Sequence, residues 1–350
     1  MESSGLVAAK FCLKLSCSDT SSNELTIPSA FYSKYGHLLV DTVELTVRNG
    51  YVLALRLDKS TGVLSGLSLF FEDFQLKGGE LLLFEYFGRY NIHVYILGVN
   101  GSEIRYPKRI RYYDDCYPRL VTIGDGGWRF VKMNCEIDSD GDEITPPAAF
   151  LERCEFALPN YIDYVISNGK KFHGSYCRTE KKFAGLRSLC DIVGVANLGV
   201  FHMMLYEFHV KAVIKISVFD ENLNEIVFSG TPLSIDGNSQ FPSKGSFFKI
   251  LVEEKHMSKD CYFVEISNEF RELVNMWDTF QSINVYSGND CWMLCTRKRD
   301  DYFCRTIEGG WHLLRDGMKL EVGDVLIFEC AVDSFDQFAV RVLKDGEGEV

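Results

Sequence analysis

Apolar positions alternate along this chain in short runs. FCLKL (11–15), WRFVKM (128–133) and FFKIL (247–251) are each led by an aromatic residue. A period of two predicts strands with one buried face. NIHVYIL (91–97), VKAVIKISVF (210–219) and FAVRVL (338–343) predict closing strands of the same kind. Asn49-Gly50, Asn168-Gly169 and Ser287-Gly288 each separate two alternating runs, and their glycines stand 119 residues apart. A tight-turn residue in that setting predicts a β-hairpin. Ahead of each hairpin lies LTIPSAF, ITPPAAF or VEISNEF, ending at Phe31, Phe150 and Phe270. Pro28 at the first turn and Gly36 at the exit predict a short helix over SAFYSKY. In the third copy Phe270, Leu273 and Val274 form an i, i+3, i+4 helical stripe.

A third landmark is longer. SGLSLFFEDFQLKGGELLLFE (65–85) aligns without a gap on GGWHLLRDGMKLEVGDVLIFE (309–329). Gly66 falls on Gly310, Leu76 on Leu320, Gly79-Glu80 on Gly323-Asp324 and Phe84 on Phe328. The middle copy begins at Gly185 and holds the pattern loosely, with Val200 where the acid should follow Gly199. The chain therefore reads as three tandem domains, 9–107, 128–230 and 245–345, joined by turn-rich connectors at 107–127 and 231–246. Repeats of about a hundred residues are separate domains rather than solenoid units.

Composition sharpens this picture. Of 350 residues 46% are hydrophobic, and 26 Phe with 17 Tyr favour β-rich packing. The opening MESSGLVAAKF does not read as a secretory signal, and no run approaches the roughly 18 apolar residues of a membrane span. The expectation is a soluble intracellular protein with no membrane partner, whose 12 Cys are reduced. Cys291, Cys295 and Cys304 lack the spacing of a zinc knuckle, and neither metal nor cofactor is expected. Net charge is −12, an unusual balance for a nucleic-acid binder.

Taken in order, Ile27-Pro28 with Phe31, Gly310-Trp311, and Gly323-Asp324 with Phe328 resemble the plant-specific B3 DNA-binding domain of the reproductive-meristem type. The resemblance covers nearly the whole chain; the third copy fits best and the second only in outline. It implies a mainly β fold, with three tandem seven-stranded open pseudobarrels carrying two short helices each. It also implies a nuclear transcription regulator that binds double-stranded DNA and works with other transcription regulators. Two loops, one after the first strand and one between the fourth and fifth, would serve as arms in the major groove. Phosphate contacts there give affinity and base-edge contacts give sequence choice.

The arms differ in chemistry. In the third domain the second arm, CTRKRDDYF, carries Arg297, Lys298 and Arg299, and the first carries Lys255, His256, Ser258 and Lys259. Arg grips phosphate or guanine bidentately, and Lys acts as a point charge. The middle domain offers Arg178, Lys181 and Lys182 opposite an acidic first arm, NCEIDSDGDE, which would repel phosphate. DSDGDE lacks the remaining ligands and flanking helices of a calcium loop. The first domain offers only Arg56 and Lys59, while Leu67 and Leu186 replace the family's Trp as core residues. Each domain is net negative, so DNA binding is expected to be weak and salt-sensitive.

Enzyme chemistry is not expected. No nucleophile–His–acid spacing or phosphate-cradling Gly loop is present, His93 and His209 lie within apolar strands, and Cys190-Asp191 has no adjacent His. Lys108 to Arg111, KRIR, reads either as a nuclear-import signal or as a solvated linker run. The alternative to a DNA-binding regulator is an interaction scaffold whose arms have lost DNA.

Overall fold

The structure, a computed structural model, describes residues 7–47, 51–88, 91–106, 129–133, 142–209, 213–231, 233, 243–258, 261, 263–267, 270, 280–287, 290–299, 304–331 and 337–344. Three curled sheets follow one another. The first unit contains β1 (Ala9–Lys14), α1 (Cys17–Ser22), β2 (Glu24–Thr26), α2 (Ser29–Tyr35), β3 (Thr42–Val47), β4 (Val52–Asp58), β5 (Val63–Ser65), α3 (Ser68–Asp73), β6 (Leu81–Gly88) and β7 (Asn91–Leu97). The second contains β8 (Arg129–Met133), α4 (Ala148–Cys154), β9 (Tyr161–Ile166), β10 (Lys171–Cys177), β11 (Lys182–Ala184), α5 (Arg187–Val193), β12 (Met203–His209) and β13 (Val213–Phe219). The third contains β14 (Ser243–Leu251), α6 (Glu254–Met257), β15 (Val264–Ile266), β16 (Phe280–Ser287), β17 (Asp290–Arg299), β18 (Cys304–Gly309), α7 (Trp311–Gly317), β19 (Val325–Ala331) and β20 (Gln337–Leu343).

Strand order repeats. It is β1-β6-β7-β3-β4-β5-β2 in the first sheet, β8-β12-β13-β9-β10-β11 in the second and β14-β19-β20-β16-β17-β18-β15 in the third. The pairs β3–β7, β9–β13 and β16–β20 are parallel; all others are antiparallel. The expected hairpins are β3–β4, β9–β10 and β16–β17. Each unit holds its own apolar core, on the face that alternation assigned inward.

Two expectations need correction. The second sheet has six strands among the described residues, not seven. The counterpart of β2 is a single bridge, Ile144 to Phe183. Pro146 stands where the first unit has Ile27, whose N–H donates to Gly62 O at 3.0 Å. Proline has no N–H to give, so pairing stops there. Helix content also exceeds two per unit, since the first has three. Its first arm coils into α1 because Ser16 accepts from Asp19 N–H while Asp19 accepts from Ser16 N–H at 2.7 Å, a reciprocal capping box. The helical stripe of Leu273 and Val274 lies outside the described residues.

The glycines before α3, α5 and α7 have a steric reason. Gly66, Gly185 and Gly310 all have positive φ. At Gly310, φ is 80° and a Cβ would collide with the Met293 carbonyl oxygen. The acid in the Gly-acid pair is a cap as well. Asp324 Oδ2 accepts from Glu321 N–H at 2.8 Å, and Glu80 Oε2 accepts from Gly78 N–H at 2.8 Å. In the second unit Asn197 takes this task, accepting from Gly199 N–H at 2.9 Å, so Val200 is free to differ.

The first two units are joined by exchange. The turn after β13 reaches β1: Cys12 N–H donates to Leu223 O at 2.8 Å, and Glu225 N–H to Lys10 O at 3.1 Å. The turn after β7 reaches β8 in the same way: Val131 N–H donates to Gly101 O at 2.8 Å, and Glu103 N–H to Arg129 O at 3.0 Å. The contacts follow a pseudo-two-fold. Cys12, Leu83, Tyr95 and Leu97 pack on Val131, Met203, Leu205 and Phe219 between the sheets. At the centre, Lys10 pairs with Glu225 at 3.2 Å, and Arg129 with Glu207 at 2.6 Å and Glu103 at 3.6 Å. Arg129 also lies 3.6 Å from the Tyr95 ring centroid.

This cluster gathers the carboxylates of Glu85, Glu103, Glu207 and Glu225 around Lys10 and Arg129. Burial pushes the Glu85 carboxyl up, against the opposing pull of Arg129. A raised acid keeps its proton to higher pH in the folded state than in the unfolded one. Its contribution is therefore present below the unfolded value of about 4.3 and lost as pH rises through its folded value. Glu85→Gln removes that loss, so denaturant titrations across pH will give a flatter stability profile than wild type at pH values above the unfolded one. A second prediction concerns the backbone. Gly310→Ala will lower stability by more than about 2 kcal/mol, through φ strain plus collision, whereas Gly194→Ala, with open space around it, will cost about 1 kcal/mol. Urea unfolding of the two variants measures the difference.

Candidate nucleic-acid interface

In the third unit β17 and β18 form a long hairpin flanked by β15, which returns from the first arm. Arg297 faces Thr306 and Arg299 faces Cys304 across β17–β18; Glu265 faces Thr306 across β15–β18. Arg297 and Arg299, two apart on one strand, present their side chains to the same face. Both turn to Glu308, at 3.8 Å and 3.1 Å. Glu308 also accepts from Thr306 Oγ1 at 3.3 Å. Arg299 lies 4.4 Å from the ring centroid of Phe263, the last residue before β15. The two arms thus meet at one end of the barrel. Lys298 is exposed on the opposite face of β17 and has no ion-pair partner among the described residues.

The first arm is pinned from beneath. Trp311 Nε1 donates to His256 O at 2.9 Å, and Arg315 donates to Met257 O at 3.1 Å and Ser258 O at 3.3 Å. His256 is buried against the Trp311 ring. Its Nδ1 accepts from Glu253 N–H at 3.1 Å, which puts the proton on the buried Nε2. Lys255 is exposed and bound to Glu253 at 2.6 Å. Lys259 lies outside the described residues.

Most of the candidate basic residues of the other units are engaged in the same fashion. Arg178 donates to Glu155 O at 2.9 Å and to Leu158 O, closing the turn after α4. Lys181 meets Glu155 at 3.8 Å, and Lys182 meets Glu143 at 3.0 Å. Lys59 meets Asp41 at 3.0 Å, while Arg56 is exposed on β4. Leu67 and Leu186 are fully buried, the core role expected of them. The segment KRIR lies outside the described residues.

Sequence reasoning missed Glu308, Phe263 and the Trp311–His256–Arg315 anchor. Glu308 was findable: once β17 and β18 pair, an acid on β18 necessarily shares a face with alternate residues of β17. The anchor depends on a contact between positions 256 and 311, which local pattern does not reveal. Cys190 lines the second core, and burial pulls His93 down to about 3, with Arg129 adding to the shift. Among the described residues no His, Cys, Asp or Glu cluster suits a metal, and no helix is long and apolar enough to cross a membrane.

No family model matches the chain, and no curated protein matches it. A solved structure of a hypothetical protein from Arabidopsis thaliana is similar at 20% identity, covering 31% of this chain and 98% of that one, with a TM-score of 0.24.

Burial lowers the His256 pKa, with Lys255 adding to the shift. Its neutral form therefore contributes stability that is present above the unfolded value of about 6.5 and lost as pH falls through the folded value. Protonation also puts a hydrogen on Nδ1, opposite the Glu253 N–H. Acidification should loosen the first arm, seen as faster amide exchange at 253–258. His256→Gln should remove most of that pH dependence.

Proposed function

We propose that this chain is a nuclear transcription regulator that binds double-stranded DNA through the third unit. The observation that carries the reading is the convergence of both arms at Arg299 and Phe263, which gathers Arg297, Lys298 and Arg299 at one barrel end. In this reading Glu308 is an internal counter-ion. It holds the two guanidinium groups in place until phosphate oxygens replace it. Arg297 and Arg299 keep 37% and 28% of their side-chain surface exposed, and a partly exposed ion pair contributes only about 0–1 kcal/mol. Exchange for phosphate is then close to neutral, and released counterions supply the drive. In the first two units Lys59, Arg178, Lys181 and Lys182 serve carboxylates and carbonyls of the chain itself, and Arg56 alone of these stands exposed, so their arms contribute little.

A second reading, a protein-interaction scaffold in which the arms have lost DNA, is favoured by two exposed aromatics. Phe156 and Tyr161 of the second unit each show 81% of their surface. The net charge of −12 points the same way.

Duplex binding by the full chain, measured across salt concentration, separates them. DNA binding through about three cations gives a slope near −3 in log affinity against log salt. Glu308→Gln frees both guanidinium groups and should raise affinity severalfold. Charge reversal at Arg297, Lys298 and Arg299 together should abolish binding. A flat salt profile with no response to Glu308→Gln would favour the scaffold.

A further inference from the structure

The joint between the first two units is nearly symmetric in its charges, and the symmetry fails beside Glu85. Register fixes the correspondence. Phe11 stacks on Phe84 and Phe130 on Tyr206. Lys10 therefore matches Arg129, and Glu85 matches Glu207, each acid facing the cation of its own first strand. The acids of the two closing turns, Glu103 and Glu225, match as well. On the next strand the match ends. Glu207 faces Lys215 on β13, whereas Glu85 faces His93 on β7. One half has a cation where the other has an imidazole.

The cations nearest Glu85 are already engaged. Lys10 meets Glu225 at 3.2 Å, and Arg129 meets Glu207 at 2.6 Å and Glu103 at 3.6 Å. Cys12 on β1 and Tyr95 on β7 stand beside them, both buried. His93 is neutral, because burial and Arg129 hold its imidazole down at about 3. Lys10, Arg129 and Lys215 thus stand against Glu85, Glu103, Glu207 and Glu225, and one carboxylate is in excess when all are ionised. Glu85 is the acid that faces the neutral group, and burial pushes its carboxyl up. An excess charge in a dry contact is costly. The apolar part of the joint is also a cluster of its own. Cys12, Leu83, Tyr95, Val131, Met203 and Leu205 pack there apart from the cores of both units.

We propose that this joint opens between two intact units, ahead of the unfolding of either, and that the excess carboxylate at Glu85 is what loosens it. Each unit keeps its own core when the two part, so separation exposes one sheet face on each side and breaks no ladder within a sheet. Such a sub-global opening belongs to the low-stability end of a structure. The sign for Glu85 follows from linkage. Its contribution to docking is present below the separated value of about 4.3 and lost as pH rises through the docked value, so the ionised group weakens the joint at neutral pH. Glu207, its symmetry mate, acts the other way. It holds Arg129, and removing its charge leaves that guanidinium less well compensated in the same contact. The inference does not rest on the DNA reading.

Amide hydrogen exchange of the full chain at about pH 7.5 tests both parts. Four amides bond across the joint: those of Cys12 and Glu225, to Leu223 O and Lys10 O, and those of Val131 and Glu103, to Gly101 O and Arg129 O. In the wild type they should exchange at least about tenfold faster, after correction for intrinsic rates, than amides of β3 and β9 paired inside a unit. Glu85→Gln should slow the four crossing amides severalfold, and Glu207→Gln should speed them, with β3 and β9 unchanged in both. Circular dichroism checks that each variant is folded, and the wild-type comparison stands without them. Crossing amides as well protected as β3 and β9 would mean that the joint opens only by unfolding, and overturn the proposal. Substitutions at Glu85 and Glu207 that act with the same sign would overturn it too, since a merely structural role predicts loss from both.

Discussion

One stacked pair of aromatic rings fastens the first strand of every unit to the strand beside it. Phe11 lies 4.7 Å from Phe84, Phe130 4.8 Å from Tyr206 and Phe248 4.4 Å from Phe328, with ring planes within 7° in all three. The helix or turn that follows the short second strand adds a third ring: Phe31 at 4.4 Å, Phe150 at 4.6 Å and, more loosely, Phe270 at 6.4 Å. Such pairs add about 0.5–1.5 kcal/mol beyond the area they bury. Their larger effect is on register. With these rings inward, Lys10, Arg129 and Phe247 on the neighbouring positions must face out, because side chains alternate along a strand. The contents of the outer faces, and therefore what each unit joins, follow from the placement of these rings.

Much of the fold was legible because its signals are local. Phe31, Phe150 and Phe270 recur at even spacing for the reason just given. Gly66, Gly185 and Gly310 recur because the turn into a helix needs positive φ there. The acids Glu80 and Asp324 recur because each accepts a backbone N–H in the turn ahead of the next strand. Where the sequence diverged, the structure supplied the same function from elsewhere, as with Asn197. The lost strand of the second unit was also written in the chain, in the Pro146-Pro147 pair. Pro147 occupies the helix start that Pro28 marks in the first unit; Pro146, just before it, removes the donor a strand would need.

The joining of the first two units was not legible, because it depends on residues far apart in sequence. Lys10 and Glu225 look like solvated charges when read locally, and so do Arg129 and Glu103. Only the exchange of turns places them in a dry interface, where losing either partner would strand the other. The candidate interface was legible in part for a related reason. Residue types and arm positions could be read from the chain, and the third unit does bring Arg297, Arg299 and the end of the first arm together. The internal carboxylates could not be assigned before the strands were paired. Glu308, Glu155, Glu143, Glu253 and Asp41 each meet a cation that the sequence had offered to an outside partner.

These internal pairs change what the negative charge of the chain means. A net charge of −12 would repel a polyanion if it acted as one distant body, but screening confines each charge to about a Debye length, roughly 8–10 Å. Within that distance of the third unit's second arm, Glu308 is shared by two guanidinium groups, and Lys298 adds a further cation nearby. The charges met at short range there are a mixed set, with Glu265 facing Thr306 beside them, and not the net negative charge of the whole. Repulsion by the whole therefore acts on the approach of a partner and lowers its association rate, whereas the local arrangement governs how long a bound partner stays. A guanidinium already held by a carboxylate and an aromatic ring also loses less rotational freedom on binding than a free one. Internal pairing at this site thus lowers the electrostatic pull on an incoming anion while reducing the ordering cost of holding it, and the two effects oppose one another at the same pair of side chains.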